Sequence, residues 1–367
     1  MAADRPWWGD SRDYLAARAR FLDAAASAGA VLHSHQHSLR GPAGDRLHCD
    51  VAILGDADAP KVLVLISGVH GVEGITGSSV QSAFLEDRVA ARLDSGTAVV
   101  VVHALNPHGL AWLRRVNEDG VDVARNFTAF GDAAPVNAEF DGRLAAALVP
   151  VEWSGPARQE ADDQLSTWSP STQVGARLFE VIPRGQYRHP FAPFYGGDRP
   201  TWSRRLLERI VDDLVASRTG SVGVLDYHTG LGPRGRGQLI GFHPRNSTVA
   251  DLGHRAWGDD YVPNTDGDSV SYPMTGGILD GIEATLGVRP FIAAAHEFGT
   301  APPVEVLTAL RADHWLHHYG DLDSPDAETI KQQIRTAFDP DDPDWQRQVC
   351  DQARRAQHSL IDTLNQR

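Results

Sequence analysis

The segment SGVHGVEG carries a histidine and a glutamate three residues apart in a glycine-rich turn. His70 and Glu73 offer an imidazole nitrogen and a carboxylate oxygen, both of which are donors that zinc favours. A turn lets this short spacing direct two side chains to one point, and glycine permits the backbone angles that this needs. A surface loop with an unrelated His and Glu is the structural alternative, so the pair needs a third donor.

His228, in the segment DYHTGLG, is the candidate for that third donor. It ends an apolar run, and Asp226 two residues earlier shares its face of a strand, where it could hold an imidazole in place. His103 is the main competing ligand, but it lies within an apolar run rather than at its end. Two histidines and a glutamate form the three-ligand set of a catalytic site, which predicts one zinc ion per chain.

Glu297 offers the carboxylate that hydrolysis at a metal requires. It lies in AHEFGT at the end of a third apolar run, and it could take a proton from the attacking water and pass it to a leaving amine. A salt-bridged strand end is the structural alternative. The neighbouring His296 should point to the opposite face of the strand, so we do not expect these two residues to form a ligand pair.

The polar segment RRVNEDGVDVARNF contains Arg114, Arg115 and Arg125. Arginine binds carboxylates through two hydrogen bonds and stabilises oxyanions, so the segment is a candidate for substrate binding. A solvated basic patch is the alternative. Tyr272 precedes a Gly-Gly turn in SYPMTGGILDG, where packing is the default interpretation of a tyrosine. The HSHQH segment at 33–37 is interpreted as surface, with at most adventitious metal binding.

These residues need a scaffold that brings the ends of separate strands together. The first forty residues are interpreted as helical, with YLAARARFLDAAASAGA ending at Gly29. Apolar runs typical of buried strands then alternate with helical patterns, and three of the runs lead into His70, His228 and Glu297. This order predicts an α/β fold, a three-layer sandwich with a central mixed, largely parallel sheet. In such sheets, sites gather beyond the carboxyl ends of the strands.

The chain divides into a predicted catalytic domain over residues 1–320 and a C-terminal helical extension over residues 321–367. Residues 128–200 are rich in Gly, Pro, Ala and acidic residues and are too long for an ordinary loop. We interpret them as an insertion with some structure of its own that could form a lid over the site. The last segment, DWQRQVCDQARRAQHSLIDTLNQR, has the pattern of an amphipathic helix that packs on the main domain.

The composition narrows the classes of partner. A formal net charge of −14 argues against nucleic acid and against an anionic membrane surface, both of which require clustered basic residues. The two cysteines form no disulfide framework or CxxC motif. The start of the chain lacks the pattern of a signal peptide, and no run of about 18 apolar residues occurs. We therefore expect a cytoplasmic protein.

Taken together, these motifs resemble those of the zinc carboxypeptidase family, in a bacterial branch whose members mostly lack an assigned substrate. The matching segments follow the family's order over residues 46–320: HGVE, NPHG, GVDVARNF, DYHTG, Y-x-x-x-GG-x-x-D and a Glu at a strand end. The resemblance implies that His70, Glu73 and His228 are the zinc ligands and that Glu297 is the general base.

The same resemblance implies roles for residues that bind substrate. Arg125 matches the arginine that binds the substrate's terminal carboxylate, and Tyr272 matches the mobile tyrosine that closes on the substrate. Arg114 or Arg115, with a slight preference for Arg115, corresponds to the arginine that polarises the scissile carbonyl. Leu279 lies near the position where the family recognises the substrate side chain, and its apolar character suggests an apolar or aromatic end group.

The chain departs from the family pattern at Ala124, where the family commonly has an asparagine that helps to hold the terminal carboxylate. Three hypotheses therefore stay open. The first is a metallocarboxypeptidase acting on small peptides. The second is an amidase or deacylase of N-acyl amino acids, similar to aspartoacylase, that uses the same metal site. The third is a non-catalytic binding protein on the same fold.

Overall fold

The protein is described here by a computed structural model that covers residues 13–56, 58–87, 92–166, 180–287 and 289–366. Eight strands form one sheet: β1 Val31–Arg40, β2 Arg46–Leu54, β3 Lys61–Ile66, β4 Thr97–His103, β5 Val222–Gly230, β6 Gly237–Gly241, β7 Tyr261–Pro263 and β8 Phe291–Gly299. Their order is β1-β2-β4-β3-β5-β8-β6-β7. The central strands β4, β3, β5 and β8 are mutually parallel, and β2 and β6 join them antiparallel.

The described helices are α1 Tyr14–Ser27, α2 Gly74–Glu86, α3 Pro107–Ala111, α4 Gly142–Leu148, α5 Gly155–Ser166, α6 Trp202–Val211, α7 Thr248–Trp257, α8 Ile278–Leu286, α9 Pro303–His318, α10 Pro325–Phe338 and α11 Pro343–Asn365. A π-helical turn, Asp212–Ala216, continues α6. Among the described residues, every helix is too short or too polar to cross a membrane.

Helices cover both faces of the sheet, because its central strands are apolar on both faces. Along β3, Leu63 and Leu65 pack in a cluster with residues of α1, α2, α7 and α11. Val62 and Val64 face the other way, into a cluster with residues of α6 and α8. This two-sided burial is what parallel strands in an α/β fold require. The predicted three-layer sandwich with a mixed, largely parallel sheet is confirmed.

The parallel strands β3, β5 and β8 end at the same edge of the sheet. β5 pairs with both β3 and β8, and the register places His228 directly opposite Glu297. Residues on alternate positions of a strand share a face, so Asp226, His228 and Glu297 all lie on the face covered by α6 and α8. The backbone pairing of the sheet alone therefore brings the three predicted strand ends together.

A helix was predicted over the first forty residues; residues 1–12 lie outside the described part of the chain, and the prediction is wrong beyond the end of α1. The helix ends at Ser27, Gly29 turns the chain with a φ of 75°, and residues 31–40 form the edge strand β1. Most side chains of β1 are exposed, so the strand lacks the apolar alternation that would have revealed it. Its backbone hydrogen bonds to β2 hold it in the sheet.

The two C-terminal helices pack in different hydrophobic clusters, and only α11 shares a cluster with the sheet. In α11, Trp345 and Leu360 are buried in the cluster that also contains Phe84 of α2. In α10, Ile334 and Phe338 pack in a separate cluster with residues of α4 and α9. The described part of the 128–200 segment thus contains helical structure, α4 and α5, and part of it packs against α10.

Candidate metal centre

Three buried donors converge at the carboxyl edge of the sheet. Ligand atoms of His70, Glu73 and His228 all lie within 4.8 Å of one another. Nδ1 of His70 is 2.9 Å from one Glu73 carboxylate oxygen, and Nδ1 of His228 is 3.0 Å from the other. The two Nδ1 atoms are 3.1 Å apart. Two imidazole nitrogens and one carboxylate oxygen aimed at a common point could hold a metal ion.

The turn after β3 is positioned by very close backbone packing. A side chain at Gly71 would place its Cβ 2.0 Å from the carbonyl carbon of Gly109, so only glycine fits there. The backbone N–H groups of Gly71 and Val72 donate to the carbonyls of Arg115 and Arg114 at 3.2 and 2.9 Å. These bonds fix the backbone between His70 and Glu73, which immediately precedes the first residue of α2.

Each histidine has a carboxylate on its outer nitrogen. Nε2 of His70 is 3.0 Å from Asp122, and Nε2 of His228 is 2.7 Å from Asp226. Such a partner fixes the tautomer and the ring orientation, and it leaves both Nδ1 atoms to face inward. Asp226 was predicted in this role, whereas sequence reasoning missed Asp122. The only signal for Asp122 was its place in the GVDVARNF motif.

The electrostatics of the three donors favour a cation. Burial raises the pKa of Glu73, but the charge of His70 and hydrogen bonds from His228 and His70 outweigh it and lower this pKa. Burial lowers the pKa of His228, but Asp226 and Glu73 outweigh it and raise this pKa. Both shifts arise because opposite charges stabilise one another at this buried point: the histidines favour the ionised carboxylate, and the carboxylates favour positive charge. The donor set therefore fits a divalent cation in chemistry and in charge.

Glu297 lies beside these donors with one carboxylate oxygen fixed. Its Oε1 accepts a hydrogen bond from the backbone N–H of Leu231 at 2.9 Å. Burial, together with the negative charge of Glu73, raises the pKa of Glu297 to about 7. A carboxyl group with that pKa can both accept and donate a proton near neutral pH.

The structure places Arg114 and Arg115 on opposite sides of their backbone. Arg115 lines the cavity and contacts Asp122, and its Nε is 3.6 Å from Glu73. Arg114 is absent from the cavity lining, and its Nε donates to Asp313 of α9 at 3.0 Å. Of the two arginines, Arg115 reaches the cavity and Arg114 does not.

Arg125 also lines the cavity, where backbone carbonyls hold its guanidinium. Its Nε and Nη2 donate to Pro183 at 3.0 and 2.7 Å, and its Nη1 donates to Ala124 at 3.3 Å. Phe194 packs under Arg115 and Arg125, with centroid distances of 4.8 and 5.8 Å. Pro183 and Phe194 come from the 128–200 segment, and no motif marked them in the sequence.

The cavity encloses about 530 Å³, including the part open to solvent. Apolar side chains form one wall: Ile240, Phe242, Met274, Ile278 and Leu279. Leu279, the predicted contact for a substrate side chain, is part of this wall. Tyr272 is partly buried but does not line the cavity, although its neighbours Ser271 and Met274 do.

Two other histidines and an asparagine near the motifs have structural partners elsewhere. His103, the competing ligand, stacks on Phe21 and lies 2.8 Å from Ser78 Oγ on the opposite face of the sheet. His296 packs against Phe298 on that same face. Asn126 donates to the backbone carbonyls of Gly196 and Arg199.

The sequence profile of a family described as "Protein of unknown function (DUF2817)" matches residues 11–352. No curated protein matches this sequence. The structure is similar to carboxypeptidase A from Helicoverpa armigera, with 13% identity, 97% of this chain and 77% of that chain covered, and a TM-score of 0.48.

It is also similar to bovine thrombin-activatable fibrinolysis inhibitor, with 11% identity, 95% and 97% coverage, and a TM-score of 0.43. A third similar structure is succinylglutamate desuccinylase from Chromobacterium violaceum, with 15% identity, 91% and 76% coverage, and a TM-score of 0.38. All three TM-scores are below 0.5.

Proposed function

The chain belongs to the DUF2817 family, whose description gives no function, and from its site we propose that it is a zinc-dependent hydrolase of amide bonds. One observation carries the proposal. Three buried zinc-type donors, His70, Glu73 and His228, converge beside the cavity that His70 and His228 line together with Glu297, a carboxyl group with a pKa near 7.

The proposed zinc ligands are Nδ1 of His70, a carboxylate oxygen of Glu73 and Nδ1 of His228. When bound, Zn²⁺ supplies Lewis acidity, which polarises a carbonyl group and lowers the pKa of water towards 7. Asp122 and Asp226 hold the two imidazole rings from outside. We favour zinc over a harder cation because two of the three donors are imidazole nitrogens.

Glu297 is the proposed general base. With Oε1 fixed by the N–H of Leu231, Oε2 is left to take a proton from the attacking water and give it to the departing amine. Arg115, which lines the same cavity, is proposed to hold the oxygen of the scissile carbonyl as negative charge develops on it.

Arg125 is the proposed site for a substrate carboxylate. A guanidinium has five N–H donors on three nitrogens. In Arg125, each of the three nitrogens donates one hydrogen bond to a backbone carbonyl. Two N–H groups remain, one on each terminal nitrogen, which matches the two oxygens of a carboxylate. Ala124 contributes only a methyl group, so Arg125 would bind this carboxylate without an asparagine partner.

The substrate class follows from this carboxylate site and the apolar wall. A small peptide with an apolar C-terminal residue meets both requirements, and cleavage there would make the protein a metallocarboxypeptidase. An N-acyl derivative of an apolar amino acid also meets them, because it carries the same free carboxylate beside an amide bond. The zinc carboxypeptidase pattern has an asparagine where this chain has Ala124, and this difference is the observation that favours the second candidate. Tyr272 is proposed to reach the substrate only after its loop moves.

Substitution of the proposed base tests the reaction. Glu297→Gln should retain close to one equivalent of zinc and lose nearly all turnover, because the amide cannot accept the proton. Glu305→Gln, at an exposed position in α9, is the matched control and should behave as the wild type. Zinc is counted by elemental analysis of purified protein. Full turnover by Glu297→Gln would exclude this base, and a wild type without zinc would favour a non-catalytic binding protein.

A substrate comparison separates the two candidate activities. The purified protein is assayed on an N-blocked dipeptide ending in phenylalanine and on N-acetyl- and N-succinylphenylalanine. Faster cleavage of the dipeptide supports the carboxypeptidase, and faster cleavage of the acyl amino acids supports the deacylase. For either class, converting the free carboxylate to an amide should reduce kcat/KM sharply if Arg125 binds it.

A further inference from the structure

Three threonines, each next to a different part of the proposed site, donate to the C-terminal end of α10. Thr76 Oγ1 donates to Asp339 Oδ1 at 3.0 Å, three residues after Glu73 in α2. The other two hydroxyls donate to backbone carbonyls at 2.6 Å: Thr229, adjacent to His228, to Phe338, and Thr300, three residues after Glu297, to Ala337. The ends of β5 and β8 and the start of α2 thus share one anchor.

The last carbonyls of a helix have no partner within the helix and must find one elsewhere when they are buried. Here the carbonyls of Ala337 and Phe338 are satisfied by the two threonine hydroxyls, and Asp339 closes the last turn through its own N–H to Arg335. The three threonines are all at most 3% exposed. The three hydrogen bonds are therefore shielded from water. At such a buried position, loss of a hydrogen bond leaves an unsatisfied polar group, which is costly.

Thr229 links this anchor directly to a proposed ligand. Its hydroxyl donates to Phe338, while its backbone N–H donates to Glu73 Oε2 at 3.1 Å. Glu73 Oε2 is the oxygen that faces Nδ1 of His228. The ring of Phe338 also lies against Gly230, where an added Cβ would come within 3.1 Å of it. The position of α10 is thus transmitted to Glu73 through one residue.

We propose that the C-terminal end of α10 is a positioning element of the metal site, which acts through Thr229 on the orientation of Glu73. The inference rests on the proposed function, because it concerns the same three ligands. Thr229 is a positioning residue and not a catalytic one, since its hydroxyl contacts the helix end rather than the cavity. Because α10 belongs to the C-terminal extension, this proposal assigns the extension a role in positioning the metal site, which the sequence motifs of the site do not reveal.

The test is zinc affinity, measured by competition with a chelating dye on the full chain. Thr229→Val keeps the shape of the side chain and removes the hydroxyl, and we expect zinc to bind about 10- to 100-fold more weakly, as for other outer partners of ligands. Thr229→Ser restores the hydroxyl and should bind within about threefold of the wild type. Thr308→Val removes an exposed hydroxyl bonded within α9 and should have no effect.

A second control separates positioning from loss of stability. Ile334→Ala removes buried side-chain volume from α10 but leaves the three threonine bonds in place. It should lower the midpoint of thermal unfolding while zinc affinity stays at the wild-type value. The inference is overturned if Thr229→Val binds zinc as tightly as the wild type, or if Ile334→Ala weakens binding as much as Thr229→Val does. A wild type that binds no zinc would instead refute the proposed function, and this inference with it.

Discussion

At the scale of single residues, the two proposed histidine ligands are held by matching carboxylates. Asp226 is two residues before His228 and on the same strand, whereas Asp122 reaches His70 from 52 residues away. Both carboxylates are fully buried. Burial raises the pKa of Asp122, but the charges of Arg115 and His70 outweigh it, so this pKa is lowered well below its usual range.

Removal of the charge of Asp122 should weaken metal binding. Asp122→Asn keeps the shape of the side chain but removes the negative charge that makes the His70 imidazole a stronger ligand. We expect about 10- to 100-fold lower zinc affinity. Competition with a chelating dye measures it. Asp119→Asn, at an exposed position in the same loop, is the control. Equal affinity of the two variants would mean that His70 does not depend on Asp122.

The two neighbouring arginines should respond differently to substitution. Arg115→Gln removes a group that contacts the cavity, so kcat should fall by roughly 10²- to 10³-fold with zinc retained. Arg114→Gln leaves Asp313 without one of its buried partners, so it should mainly lower stability to urea. Steady-state kinetics and urea unfolding of both variants distinguish these outcomes. A larger loss of kcat in the Arg114 variant would reverse the assignment.

At the scale of elements, the site depends on how closely the turn after β3 approaches the start of α3. Gly71→Ala would drive a methyl group into the backbone of Gly109, which cannot move aside as a side chain could. We expect a loss of roughly 3 kcal/mol of unfolding free energy, the upper end for overpacking. Gly267→Ala is the control, because its added Cβ would meet no atom within 4 Å. Similar urea midpoints for the two variants would contradict this packing.

Elements with a strong apolar pattern could be predicted from the sequence, and so could the residues that end them. Buried strands were predicted for the three apolar runs that lead into His70, His228 and Glu297. Parallel pairing of β3, β5 and β8 brings the ends of these runs together. The exposed strand β1 was missed because only its backbone pairing defines it.

The partners of the site residues were harder to predict than the residues themselves. Pro183 contributes a backbone carbonyl, which any residue type could supply. Phe194 adopts a φ of 60°, which is unusual for a residue with a side chain and cannot be inferred from its type. Thr229 lies in a predicted motif, but its partner is 109 residues away. Contacts of this kind depend on the tertiary fold and leave no local pattern.

At the scale of the whole molecule, five histidines, of which three are buried and two partly buried, resist protonation. Burial lowers the pKa to about 4 in His103, His108 and His314 and to about 3 in His296 and His317. An unfolded chain takes up protons on histidine at a pKa of about 6.5. Below that pH the unfolded state therefore binds more protons than the folded state.

The free energy of unfolding should consequently fall as the pH decreases from 7.0 to 5.0, by about 1.4 kcal/mol per pH unit for each extra proton on the unfolded state. Glu297 has a raised pKa and opposes this trend, which makes the net dependence on pH shallower. Urea unfolding at several pH values gives the slope. His296→Gln should reduce it by about one proton, whereas His33→Gln, at an exposed position, should leave it unchanged. Equal slopes in all three proteins would contradict the burial argument.

The anchor at the end of α10 has a consequence for how the protein is made. The bond between Thr76 and Asp339 joins residues 263 positions apart, and such distant contacts slow folding because long loops must close first. During synthesis, the turn with His70 and Glu73 leaves the ribosome long before residue 339 does. We therefore expect a newly synthesised chain to bind the proposed zinc ion only after its C-terminal helices have left the ribosome and packed on the rest of the fold.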